Sequence, residues 1–464
     1  MVVGEIPESV DFLVVGGGPG GYTAALEAAA RGRVVTLVDL EGEAGLGGVC
    51  LRVGCIPSKA LIELARTRHR VGSFARMGLR ARMDQVDLVA FQEWKASIVD
   101  RLSTGVGSLL REAGVRVVQG RFTFLGAGRG VVDTGGDRPP LFIEYHDLVL
   151  ATGSTPRELP GLPRDGVRVL DSTDVLALDR LPDTAVIVGG GYIGLELGTA
   201  LAKLGTEVTL VEAAPTLLPG MPAELTAPVQ KSLRALGVTV LVNTEITDFT
   251  GNQVRVVSGG DEARTLHTGT VVTAIGRRPN TRQLGLDALG VQPDGRGLLT
   301  VGADRLLLPH VAAIGDITPG PALAHKATAE AVVAVEALCG QPTAFDPATI
   351  PLIVFSDPEI AVAGEEHLAR QGLVSARRPF RASGRALTLD EPIGFARMTV
   401  DQATDAVVGV QIVGPHAAEM ISEAVLAIEM AATPHDIRAS IHPHPTLAET
   451  LADVAGDLGR VPGA

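Results

Sequence analysis

The chain repeats one arrangement of apolar and polar positions twice. Residues 12 to 21, FLVVGGGPGG, run from an unbroken apolar stretch into Gly16-x-Gly18-x-x-Gly21; an alanine-rich segment follows, and a second apolar stretch, VVTLVD, ends at Asp39. Residues 186 to 194, VIVGGGYIG, repeat the design as Gly189-x-Gly191-x-x-Gly194, with a helical segment to about Gly205 and then EVTLVE ending at Glu212. Apolar runs without alternation predict parallel strands buried on both faces, and the segments between them predict helices. Each acid lies 23 positions after the first glycine of its turn. One such turn is weak evidence, because glycine-rich turns are common; two, each between strand and helix with a correctly spaced acid, are strong. The glycines let backbone approach a pyrophosphate at a helix N-terminus, and Asp39 and Glu212 can accept hydrogen bonds from ribose hydroxyls. Two bound dinucleotides are predicted.

Further apolar runs complete the pattern. LVLATG (148 to 153) and VVTAIG (271 to 276) close the two units at Gly153 and Gly276. VAAIGDI then puts Asp316 at the end of another strand, and a helix follows from about His325, with Ala324 at its start. The segment from Ala185 to Ala202 is long and mostly apolar, but Glu196 and five glycines interrupt it, so it reads as strand, turn and helix and not as a membrane span.

Composition narrows the class. A net charge of −13 and a pI near 5.3 argue against a nucleic-acid or anionic-membrane partner, which would favour a basic face. Three cysteines in 464 residues exclude a disulfide scaffold, and MVVGEIPESV lacks the basic start and apolar core of a signal peptide. A cytoplasmic enzyme in a reducing compartment is expected, with any disulfide used catalytically.

Cys50 and Cys55, in GGVCLRVGCIPSKAL, supply that disulfide. Closing so small a loop gains only about 2 kcal/mol in the chain-entropy model. On a regular helix the two side chains would point about 140° apart, so a bridge needs an irregular turn, which Gly54 can supply. Cys55 precedes Pro57, a residue suited to a first helical turn, so its sulfur is expected near a positive helix end that favours thiolate. Only Cys339 remains, so no cysteine tetrad for a metal exists, and no metal is expected.

The surroundings distinguish the two dinucleotides. The first turn precedes the cysteine pair, so its ligand should exchange electrons with a disulfide, which points to FAD. The second then holds the nicotinamide partner. Glu212 is followed by Ala213, Ala214 and Pro215 with no nearby arginine for a 2′-phosphate, which favours NAD over NADP. Asp316 suits the flavin ribityl or pyrophosphate linkage; the alternative is an ordinary helix or turn cap.

The motifs GGGPGGY, GGVCLRVGCIPSKAL, GGGYIGLELG, TAIGRRPN, IGDITPGPALAHKA, VFSDPEIAVAG and IHPHPTLAE, in that order, resemble those of the flavin disulfide reductases, and within them the dihydrolipoyl dehydrogenases, the E3 components of 2-oxo acid dehydrogenase complexes. The resemblance runs from Phe12 to about Leu458. It implies an α/β fold of two Rossmann-like dinucleotide-binding domains and a C-terminal α+β dimerisation domain, divided as an FAD domain (1–154), an NAD domain (155–280), a central domain (281–350) and an interface domain (351–464) through which two chains pair. It implies His444 and Glu449 as a catalytic pair, histidine exchanging protons with substrate thiols and glutamate orienting its ring. His442, two residues earlier, opens the alternative of a zinc site with His444 and Glu449. It implies, further, that Lys59 and Glu196 pair beside the flavin, that Tyr192 covers the flavin until nicotinamide enters, and that the dihydrolipoyl domain of an acyltransferase (E2) core is the partner. From sequence alone Lys59 reads as a helix-surface residue and Glu196 as a misplaced charge in an apolar helix.

Three positions depart from the family pattern: Val49 replaces a usual threonine, Arg52 a usual asparagine, and Asp39 a usual glutamate. Arg52 is expected to lower a neighbouring thiol pKa. Among rivals, a glutathione reductase would want arginines for NADPH and a mercuric reductase a cysteine pair near the C-terminus, which here reads DLGRVPGA. A mainly structural subunit with a vestigial site would have no need of intact Cys50, Cys55, His444 and Glu449.

Overall fold

The repeated apolar runs become the centres of two parallel sheets in the computed structural model, which describes residues 7–82, 85–136, 139–259, 263–364 and 371–459. Most of the N-terminal segment read for a signal peptide and the last five residues lie outside the described residues. In the first sheet the strand Glu8–Val15 lies between Val35–Asp39 and Leu141–Leu150, parallel to both. Phe12, Leu13 and Val14 are fully buried, as two covered faces require. Arg116–Gln119 extends one edge, and the hairpin Arg121–Gly126/Arg129–Asp133 pairs with the start of Leu141–Leu150.

Residues 281–350 do not form a sheet of their own. The strand Val311–Ala313 pairs in parallel with Leu148–Leu150 and carries Leu306–Leu308 beyond it, so the expected central region completes the first sheet. The physical reason is helix packing: Ala324–Leu338 lies against Pro19–Ala30, both built from small residues, with Ala24, Ala28, Ala331 and Ala334 in one core. A Cβ on Gly20 would stand 3.2 Å from the Ala327 Cβ, which shows how closely the two helices approach.

The second sheet is fully parallel, in the order Thr239–Leu241, Glu207–Val211, Thr184–Val188, Thr270–Thr273, Val169–Leu170. Ala185 to Ala202 is strand, turn and helix, and among the described residues no helix is long and apolar enough to cross a membrane. Short strands Ser154–Pro156 and Arg277–Pro279 pair antiparallel and join the two dinucleotide units. From Leu352 onward an antiparallel sheet of five strands packs against helices Ala417–Glu429 and Glu449–Leu458. One core ties the three units together: Leu61 and Ala65 of helix Cys55–Ser73, Leu195 and Leu201 of helix Tyr192–Leu204, and Val354 and Ile360 of the C-terminal sheet.

Candidate functional site

The two glycine turns are near copies. Gly16 and Gly189 share a φ of +108°, and a Cβ on either would fall 2.3 or 2.4 Å from the carbonyl oxygen of Ala151 or Ala274. Only glycine fits there. The third glycines, Gly21 and Gly194, let helix and strand touch: a Cβ would meet the carbonyl of Gly16 or Gly189 within 2 Å. Each acid grips its turn, and sequence reasoning missed how. The Gly17 N–H donates to Asp39 Oδ2 (2.8 Å) and the Glu41 N–H to Oδ1 (2.9 Å); likewise Gly190 N–H donates to Glu212 Oε2 (2.6 Å) and Ala214 N–H to Oε1 (2.6 Å).

Gly54 breaks the backbone between two helices, Gly48–Val53 and Cys55–Ser73, with φ −134° and ψ −108°. Cys50 ends up one turn before the break and Cys55 is the first residue after it. Both are free thiols. The Cys50 thiol donates towards the Cys55 sulfur and the Lys59 ammonium adds its charge; against burial and Glu196, they lower Cys55 to about 7. The same interaction, with burial, pushes Cys50 far above the ordinary thiol range. One proton is thus held on Cys50 while Cys55 ionises. Arg52, expected to lower a thiol, turns its guanidinium to an ion pair with Glu41 at 2.6 Å, and the cation that acts to lower both sulfurs is Lys59.

Lys59 is not a free surface residue and Glu196 is not misplaced. Helices Cys55–Ser73 and Tyr192–Leu204 pack together, and Lys59 Nζ donates to Glu196 Oε2 at 2.8 Å. Glu196 is buried; its second oxygen accepts the Phe355 N–H at 3.0 Å, and the Lys59 ammonium lies 4.2 Å from the centre of the Phe355 ring. Phe355 lies in the VFSDPEIAVAG motif, but its role had no sequence signal, since it is a backbone donor and a ring face brought in by the C-terminal unit. Tyr192 opens its helix with its side chain partly exposed.

Asp316, in a short helical turn after Val311–Ala313, accepts the Ser154 hydroxyl at 2.5 Å, and Arg277 Nε donates to Ser154 Oγ at 2.7 Å. Ser154 and Arg277 adjoin Gly153 and Gly276, so both turns that close the dinucleotide units connect to Asp316. Ala324 begins the helix Ala324–Leu338.

His444 and Glu449 come together at the other end of the chain. His444 Nδ1 lies 2.9 Å from Glu449 Oε1, and Glu449 Oε2 accepts the Thr446 N–H at 2.8 Å. That backbone donor and His444 hold the Glu449 carboxyl below its usual range. The His444–Pro445 bond is cis and the imidazole is 81% exposed. The largest charges acting on Cys55 are those of Lys59 and Glu196. His442 turns to Glu423 (2.8 Å) and the Ser440 carbonyl, and among the described residues His442, His444 and Glu449 do not converge as a metal-ligating group.

The model of the pyridine nucleotide-disulphide oxidoreductases matches residues 10–331, and that of their dimerisation domain residues 350–455. The chain belongs to this family. Among the family's curated members, the dihydrolipoyl dehydrogenases of Geobacillus stearothermophilus and Halobacterium salinarum are each 42% identical, over 98% of this chain and 97% of theirs. Among its solved structures, LpdA from Mycobacterium tuberculosis superposes with a TM-score of 0.88 at 28% identity, covering 97% of this chain and all of that one. The HOCl-induced flavoprotein disulfide reductase RclA from Escherichia coli does so at 0.84 and 25% identity over 96% of this chain and 99% of its own. FAD and NAD are the dinucleotides of the family's chemistry, and its dimerisation domain makes the chain a homodimer.

The turns fit such ligands. A Cβ on Gly191 would meet nothing within 4 Å, and one on Gly18 only the Gly48 Cα at 4.0 Å, so each helix N-terminus carries an open cradle where a phosphate can reach backbone N–H groups. Asp39 and Glu212 have each spent two acceptor positions on the turn, and a carboxylate offers about four, which leaves capacity for ribose hydroxyls.

Proposed function

We propose that the chain is a dihydrolipoyl dehydrogenase, oxidising dihydrolipoyl to lipoyl groups and reducing NAD+ as a homodimer. One observation carries the reading: a cysteine pair on either side of Gly54, with Cys55 lowered to about 7 by Cys50 and Lys59, following the first of two dinucleotide turns, in a chain 42% identical over nearly its whole length to enzymes of that name. The first turn with Asp316, Ala324 and Lys59 would hold FAD, and the second turn with Tyr192 and Glu212 would hold NAD. Bound there, FAD supplies a two-electron acceptor for the dithiol and NAD+ takes the hydride onward.

The chain's own residues do the thiol chemistry. His444 of the partner subunit, its ring held by Glu449, takes the proton of one substrate thiol. The resulting thiolate attacks Cys50; the Cys50–Cys55 bond breaks, a mixed disulfide forms on Cys50, and Cys55 leaves as thiolate. The second substrate thiol attacks that mixed disulfide, and its proton passes by way of His444 to the departing Cys50 sulfur. Lipoyl disulfide is released, and both electrons rest on the pair as a Cys50 thiol and a Cys55 thiolate, the distribution that the two pKa directions favour. Lys59 compensates the Cys55 thiolate, and Glu196 holds the Lys59 ammonium in place.

The dihydrolipoyl groups are those carried by the E2 core of a 2-oxo acid dehydrogenase complex in the cytoplasm. The test is direct. The yellow, FAD-loaded dimer should form NADH from dihydrolipoamide and NAD+, and should not reduce glutathione disulfide with NADPH; the opposite pattern rejects the reading.

A further inference from the structure

At the end of the first sheet away from its glycine turn, two histidines converge on one buried carboxylate. Asp147, 1% exposed, receives His146 Nδ1 on Oδ2 and His310 Nδ1 on Oδ1, each at 2.9 Å. The imidazole rings stand 4.9 Å apart at 77°, and one ligand atom from each of the three residues lies within 4.8 Å of the other two. Arg33 also donates to Asp147 Oδ2 at 2.7 Å and pairs with Asp11. Arg33 therefore already gives the buried carboxylate its counter-charge, and two further imidazoles are not needed to neutralise it. His310 takes part at a cost, with φ +65°, a conformation that disfavours a side chain. His146 and His310 are 65% and 61% exposed, so solvent reaches the cluster.

We propose that His146, His310 and Asp147 form a binding site for a divalent transition metal of the Zn2+ class. Two imidazoles and one carboxylate are the donor set that such ions favour, whereas Ca2+ and Mg2+ favour oxygen ligands alone. Ligation through Nδ1 moves each ring proton to the outward Nε2, and solvent completes the coordination. The ion ties strand Leu141–Leu150 to the start of strand Val311–Ala313, the strand that leads to Asp316, and so clamps the first sheet from its far end.

The experiment is a calorimetric titration of Zn2+ into the oxidised, FAD-loaded dimer, in which joined Cys50 and Cys55 offer no thiolate. One Zn2+ per chain should bind, and the melting temperature should rise with it. His146→Ala and His310→Ala remove exposed side chains and should leave FAD content unchanged, while each weakens Zn2+ binding at least tenfold and abolishes the melting shift. Absence of saturable binding to the wild-type dimer, or binding of equal strength in both variants, overturns the proposal.

Discussion

At the residue scale, the Cys50–Cys55 pair and its lysine make a measurable claim about protonation. Cys55 is lowered, first by the Cys50 thiol and next by Lys59, so its thiolate persists below the ordinary thiol range. In the mildly reduced protein, Cys55 alkylation by iodoacetamide should rise through a midpoint at about pH 7, and Lys59→Met should move that midpoint up by about 1 unit. An unmoved midpoint would show that the ammonium does not act on the sulfur. Glu212 carries a second residue-scale expectation. Its carboxylate repels a 2′-phosphate, so NAD+ should be preferred by about tenfold to a hundredfold in kcat/KM. Glu212→Ala should narrow that ratio and also weaken NAD+, because Gly190 and Ala214 lose their acceptor.

The strand-turn-helix element separates two kinds of glycine that look alike in the sequence. Gly189 needs its positive φ and has no room for a Cβ, so Gly189→Ala should cost on the order of 3 kcal/mol of stability. Gly191 has an ordinary φ of −73° and open space beyond it. Gly191→Ala should leave the melting temperature of the NAD-free protein almost unchanged and weaken NAD+ about tenfold by filling the phosphate cradle. Equal loss of stability in both variants, followed by thermal denaturation, would contradict this division of roles.

At the scale of the whole molecule, the dimer decides where the base comes from. His444 is exposed, and it and Glu449 sit in the C-terminal unit that matches the family's dimerisation domain. Each site is therefore expected to draw its cysteines from one chain and His444 from the other. Cys50→Ser and His444→Gln, each nearly inactive as a homodimer, should recover about 25% of wild-type activity when equal amounts exchange subunits, since half the dimers are mixed and one of their two sites is intact. No recovery, with exchange verified by mass spectrometry, would place the base within its own chain.

The sequence by itself determined whatever depends on local order along the chain: apolar runs that can only be buried parallel strands, glycines at fixed spacing, an acid at the next strand end, and two cysteines around a glycine. These features are short-range, so backbone sterics and burial dictate them wherever the segment lies. The tertiary structure decided what depends on meetings across the chain. Residues 311–313 joined the first sheet because helix Ala324–Leu338 could approach Pro19–Ala30 through small residues. Glu196, apparently misplaced, found Lys59 and the Phe355 N–H because three separate units share one core. His146 and His310, 164 positions apart, met on Asp147 because parallel strands align residues with no relation in sequence. No spacing rule reaches that far, since a sheet's strand order fixes such contacts and local pattern leaves strand order open.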